Sequence, residues 1–184
     1  MRQKTPARPR RRAVLQTAAI LALAQALPAR AATTGPGKPG EFDFLSGEWR
    51  IKHRRLKAPG NWDVFEGEAT CWSILGGVAS IEELRIPARD FAGTGIRLLD
   101  RKQGLWADYW VNARDGVLTP PPLWGRFIDG DGVFIADDED AGRPIKVRGL
   151  WDGITPASHR WSQAVSRDGG QTWEPNWLME WRRA

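Results

Sequence analysis

The sequence predicts an all-β fold, a single up-and-down antiparallel β-barrel of about ten strands. Three observations predict it. Turn signals punctuate residues 42–184 roughly every 8 to 15 residues, the rhythm of short strands. Between them, residues alternate with period two, large aromatic side chains on one face and charges on the other. No window carries a convincing amphipathic helix. A meander of this many strands leaves two open edges unless the sheet closes on itself.

The elements follow in order. A short helical turn is expected at Glu41–Ser46. The strands are Glu48–Lys57, Trp62–Leu75, Val78–Leu84, Gly93–Asp100, Leu105–Asn112, Leu123–Asp129, Gly132–Ala136, Ile145–Trp151, Ser158–Ser166 and Trp173–Arg182. In the first, Trp49, Ile51 and His53 share a face opposite Arg50, Lys52 and Arg54. In the fifth the assignment is ambiguous: Trp106, Asp108, Trp110 and Asn112 face one way, Leu105, Ala107, Tyr109 and Val111 the other. Thr119-Pro120-Pro121-Pro122 is excluded from a central strand, since proline lacks the N–H donor. Asp129-Gly130-Asp131-Gly132 reads as a tight hairpin, and Asp137-Asp138-Glu139-Asp140-Ala141-Gly142 as an acidic loop. The eighth strand sets Ile145, Val147, Gly149 and Trp151 against Lys146, Arg148 and Asp152. The ninth sets His159, Trp161, Gln163 and Val165 against Arg160, Ser162 and Ser166. The tenth sets Trp177, Met179 and Trp181 against Glu180 and Arg182.

Charge divides the chain. The whole carries 27 Lys plus Arg against 22 Asp plus Glu. Residues 1–31 hold seven of the basic residues and no acidic one, so the other 153 residues carry 20 against 22, a net −2. No surplus of cations remains there to displace counterions from a nucleic acid, and a nucleic-acid partner is not expected. Residues 1–31 read as an export signal: Arg10-Arg11-Arg12-Ala13-Val14-Leu15-Gln16 resembles the twin-arginine pattern, Ala18–Ala24 is apolar, and Ala29-Arg30-Ala31 fits a small-x-small cleavage site. The apolar stretch falls short of the roughly 20 residues a membrane span needs, so no integral membrane segment is expected after cleavage. Residues 32–41, rich in Gly and Pro, read as a flexible linker, and 42–184 as the barrel domain. The expected location is periplasmic or secreted. Cys71 is the one cysteine, so the domain forms no internal disulfide.

At Phe42-Asp43-Phe44-Leu45-Ser46-Gly47-Glu48-Trp49 the sequence resembles the opening of lipocalin-like, calycin-type barrels, in which a short turn leads into a Gly-x-Trp strand that plugs one end. From Phe42 to Arg182 the chain is similar to a family of bacterial lipocalin-like proteins known as a domain of unknown function. The further segments that carry the likeness are Ile74-Leu75-Gly76-Gly77, Leu98-Leu99-Asp100 with Trp106, Arg160-Trp161-Ser162-Gln163 and Asp168-Gly169-Gly170-Gln171-Thr172-Trp173. The resemblance implies a barrel with an internal cavity and no particular activity. The nitrobindin-like haem barrels open similarly, but with a Gly-rich strand where this chain has Arg50-Ile51-Lys52. His159 lies where that family would place an axial ligand, which keeps haem as a minor expectation.

All 11 Trp fall within the barrel domain. Some are expected to build the core and others to wall a pocket that stacks on a planar or apolar molecule. The expected ligand-binding residues are Trp110, Trp161 and Trp177 as walls, with His53, Asp108, Arg126 and Gln163 as polar contacts. Arg126 is placed there by parity with Trp124 and Ile128. The two histidines, His53 and His159, stand on apolar faces, where a histidine with its nitrogens satisfied is the commoner outcome. No Cys-x2-Cys or His-x-His spacing points to a metal, and no cofactor is named by the residues. No nucleophile motif occurs, and catalytic residues stay unassigned; a carboxylate for acid–base work would come from Glu66, Glu68, Glu82, Glu83 or Asp108. Ser166-Arg167-Asp168-Gly169-Gly170-Gln171-Thr172-Trp173 matches the Asp-box of sialidase-like propellers, and a single copy reads as a structural hairpin. The function expected is an exported, non-enzymatic binding protein for a small apolar or aromatic ligand. An enzyme using the same cavity, with His53 or a carboxylate as general base, is the alternative, and a filled barrel acting as a surface module is a third. Oligomeric state is left open.

Overall fold

The structure, a computed structural model, describes residues 35–118 and 120–184. The expected export signal and the start of the expected linker lie outside the described residues, as does Thr119.

Ten strands run in sequence: β1 (Gly47–Ala58), β2 (Asn61–Ile74), β3 (Ala79–Ile86), β4 (Phe91–Asp100), β5 (Leu105–Asn112), β6 (Leu123–Ile128), β7 (Asp131–Asp140), β8 (Arg143–Asp152), β9 (Ser158–Ser166) and β10 (Glu174–Arg183). Each pairs antiparallel with the next, and β1 pairs with β10, closing an up-and-down barrel. Closure removes the unpaired N–H and C=O groups that two open edges would expose.

Period-two patterning produces this directly. Along β1, Trp49, Ile51 and His53 are buried while Arg50, Lys52 and Arg54 are exposed. The register sets Ile51 beside Trp181, His53 beside Met179 and Trp151 beside Trp161, so inward rings meet across strands. Four indoles, Trp49, Trp106, Trp151 and Trp181, are fully buried. Each withdraws on the order of 4–6 kcal/mol of apolar surface from water, taking an extended chain as the upper reference.

One end is plugged by the chain itself. The 3-10 turn Asp43–Leu45 falls within the helical turn expected at Glu41–Ser46. It inserts Leu45, and Phe42 before it meets Trp106, Phe127 and Trp151 edge-on at 5.0 to 6.0 Å. Trp49 donates its indole N–H to the Leu45 carbonyl at 2.6 Å. Arg183, near the chain end, stacks over Trp49 at 3.9 Å and donates to the carbonyls of Phe44 and Ser46. Part of the expected linker packs here too: Gly37 donates to Gly104, Gly40 to Gly77, and Glu41 accepts from the Trp106 indole at 2.8 Å.

Two local expectations are corrected. The acidic run Asp137–Asp140 is not a loop but the end of β7, paired residue by residue with Arg143–Lys146. Cations offset the repulsion that a row of carboxylates would suffer: Lys146 meets Asp137 at 2.6 Å and Arg167 meets Asp140 at 2.7 Å. The turn is only Ala141-Gly142, both at positive φ, the backbone that a two-residue hairpin demands. Second, Arg126 pairs with Val133 on the outer face, while Leu123, Gly125 and Phe127 alternate with it and point inward.

The Asp-box segment is a structural turn. Asp168 accepts from the Gln171 and Thr172 amides at 2.9 Å, from the Thr172 hydroxyl at 2.6 Å and from the Ser166 hydroxyl at 2.7 Å. These donors hold its carboxyl well below the usual range.

Candidate functional site

The barrel is not filled. A cavity of about 410 Å³ occupies its interior. Trp151 and Trp181, packed towards the plug, form its floor, and Pro120, Pro121, Asp137 and Asp138 line its other end. Trp110 from β5, Trp161 from β9 and Trp177 from β10 are its walls. Trp161 and Trp177 stand edge to face at 5.9 Å and 85°, so the two indoles make a right-angled corner. Trp110 lies parallel to Phe91 at 6.4 Å. Gly93 makes room for it: a methyl group there would come within 2.2 Å of the Trp110 ring.

Of the seven residues expected to bind ligand, the structure brings Asp108, Trp110, Trp161, Gln163 and Trp177 to the cavity. The ambiguous strand β5 is resolved by its neighbours. Arg97 opposite Asp108 and Gly125 opposite Trp106 place Trp106, Asp108 and Trp110 inward. Gln163 donates to the Asn176 amide oxygen at 3.1 Å, which orients it at the wall. Arg126 is on the outer surface and does not reach the cavity. His53 stands behind the wall instead of in it. The Trp177 indole donates to its Nδ1 at 3.2 Å, and its ring stacks on Phe65 at 4.6 Å. Burial, with Arg89 adding to it, pushes the His53 pKa down to about 4. A neutral ring whose Nδ1 accepts carries its proton on Nε2. His53 therefore positions Trp177 and does not face a ligand as general base.

The charged centre is one that sequence parity missed. Arg97, on β4 between Ile96 and Leu98, points inward because those two apolar neighbours point out; Leu98 is 42% exposed. Its Nη2 meets a Glu82 carboxylate oxygen at 2.5 Å, and its Nε lies 3.4 Å from Asp108. Gly95 leaves the space, since a methyl group there would sit 2.8 Å from Nη2. Burial works against the guanidinium charge, but Glu82 and Asp108 outweigh it and hold Arg97 protonated. The guanidinium also lies over Trp151 at 4.9 Å. Burial pushes the Asp108 pKa up to about 6; Arg97 opposes this and Glu82 adds to it. Arg97 Nε and Nη1 are buried with no hydrogen-bond partner among the described residues.

His159, expected as the axial ligand if haem were held, does not fit that role. Its ring is caged by Trp49 at 4.5 Å, Trp181 at 4.9 Å and Phe44 at 5.1 Å, and both nitrogens are buried. Burial, then Arg97 and Arg183, push its pKa down to about 3. It is a neutral core ring at the plugged end with no open face towards the cavity. Cys71 is buried, and burial raises its thiol far from the range of a nucleophile. Among the described residues no group of three or more His, Cys, Asp or Glu side chains is arranged to hold a metal ion, and no helix is long and apolar enough to cross a membrane.

No protein-family model matches the chain, and no curated protein matches it either. The closed ten-strand antiparallel barrel is compatible with a calycin-type fold.

Proposed function

We propose that this chain is an exported binding protein that holds a small molecule with an apolar or aromatic body in its barrel. The observation that carries the reading is the cavity: about 410 Å³, walled by three indoles and lined by Pro120, Pro121, Asp137 and Asp138 at the end away from the plug. Small-molecule sites span roughly 300–1,000 Å³ and combine apolar walls with a few placed polar groups. Asp108 and Gln163 are such groups here. The paired arginines at Arg11-Arg12 and the Ala29-Arg30-Ala31 segment support export.

The test is a titration of the full chain with lipids, terpenoids, aromatic compounds and haemin, read by Trp fluorescence and thermal shift. A member of the panel that quenches fluorescence in wild type and not in Trp161→Ala supports the reading. Silence across the panel in both measurements overturns it.

A second reading, an enzyme working in the same cavity, is favoured by one observation: Asp108 is a cavity carboxylate held at about 6, near the range of a general base. Chemical change of a bound compound, abolished in Asp108→Asn while binding persists, would establish it.

A further inference from the structure

The charge inventory of the cavity says what its occupant carries. Among the described residues lining it, the carboxylates are Glu82, Asp108, Asp137 and Asp138, and the one cation is Arg97. Asp137 is matched by Lys146 at 2.6 Å. Deeper in, Arg97 is shared between two carboxylates, closely with Glu82 and loosely with Asp108. The inner group thus bears a formal −1 when both carboxylates are ionised. Its side chains are unequally accessible: Asp108 is 17% exposed, Arg97 4% and Glu82 3%. Arg97 Nε and Nη1 are buried without a hydrogen-bond partner among the described residues, and Asp108 is the most exposed of the three side chains. What the cavity presents is a carboxylate acceptor beside the indoles of Trp110, Trp161 and Trp177.

Resting on the binding reading above, we propose that the ligand is an organic amine, an ammonium group on an apolar or aromatic body, with its N–H donated to Asp108 and its charge set against the indole faces. Three chemical facts favour this class. An ammonium–carboxylate hydrogen bond is charge-assisted and strengthens where water is excluded. Indoles attract cations through the negative face of the ring, more than other aromatic side chains do. A carboxylate ligand would bring a further negative charge against a group that already bears a formal −1. Asp138, on the inward-facing parity of β7, adds a carboxylate to the lining at the end away from the plug.

The test compares three compounds on one skeleton, 4-phenylbutylamine, 4-phenylbutanol and 4-phenylbutyrate, titrated into the full chain at pH 7.5 and read by Trp fluorescence. The amine is expected to bind at least tenfold tighter than the alcohol, and the carboxylate weakest. Asp108→Asn should bring amine and alcohol within about threefold of each other. Wild type supplies a check that needs no variant: amine affinity should fall as pH drops below about 6, where Asp108 takes up a proton under the influence of Arg97 and Glu82, while alcohol affinity stays level. Equal binding of the three compounds, or preference for the carboxylate, overturns this proposal and leaves the cavity reading standing. No binding by any of them, together with a silent panel above, overturns both.

Discussion

Arg97 and Glu82 face each other across β3 and β4 with 2.5 Å between Nη2 and the carboxylate, inside a barrel otherwise walled by indoles. A charge this deep is tolerated only while its partner is present. Glu82→Ala is therefore expected to destabilise the chain by about 3–5 kcal/mol in urea unfolding. Glu82→Leu combined with Arg97→Met and Asp108→Asn removes all three charges of the group and should recover most of that loss. A triple variant no more stable than Glu82→Ala would show that the buried charges are not the source of the effect.

The two buried histidines make stability depend on pH. Both have folded pKa values lowered from 6.5, to about 4 for His53 and about 3 for His159. The unfolded chain then binds more protons, so stability is full above pH 6.5 and is lost as pH falls towards the folded values. Between pH 6.5 and 5 each histidine is expected to remove about 2 kcal/mol. Asp108 acts with the opposite sign, since its raised pKa favours the folded state as pH drops through about 6. Comparing wild type with His159→Phe isolates one term: urea midpoints at pH 6.5 and 5 should lie closer together in the variant. An unchanged difference would mean that His159 is not neutral in the folded state.

Gly93 holds open the place of Trp110. Gly93→Ala is expected to cost about 1–3 kcal/mol through forced displacement of the ring and to alter Trp emission. A variant with wild-type melting temperature and spectrum would show that the wall moves freely.

Arg126 and Trp161 stand on opposite sides of the sheet. For any compound that quenches wild-type fluorescence, Arg126→Ala should leave affinity within about twofold. Trp161→Ala should weaken it by tenfold or more, a loss of about 1.4 kcal/mol or more. Equal effects from the two substitutions would place the ligand somewhere other than the cavity.

Most of the barrel was legible in the chain. Strands β5 and β9 have the bounds expected, and β1, β8, β9 and β10 have the inner faces expected. In those four, charged side chains mark the outside, and alternation then assigns the faces. Alternation misleads where the outside is apolar. Trp124 and Ile128 accompany Arg126 on the outer face of β6, and Ile96 and Leu98 flank Arg97 on that of β4. In both strands the apolar residues suggest the wrong side, so alternation places Arg126 at the cavity and gives no sign of Arg97. The acidic run in β7 misled in a related way, because the cations that make it a strand come from Lys146 and from Arg167, beyond β9.

The chain alone therefore determines that it forms strands, how many, where most of them turn and which residues are rich enough in indole to wall a cavity. Those properties follow from period-two patterning and turn chemistry, which act between near neighbours. Which way β4, β5 and β6 face, and hence the meeting of Glu82, Arg97 and Asp108, was decided only by closure. Side-chain direction in a strand is a single binary choice, and it is settled by register with the strands on either side. The charge at the heart of the cavity is a property of three adjoining strands, and no one of their sequences contains it.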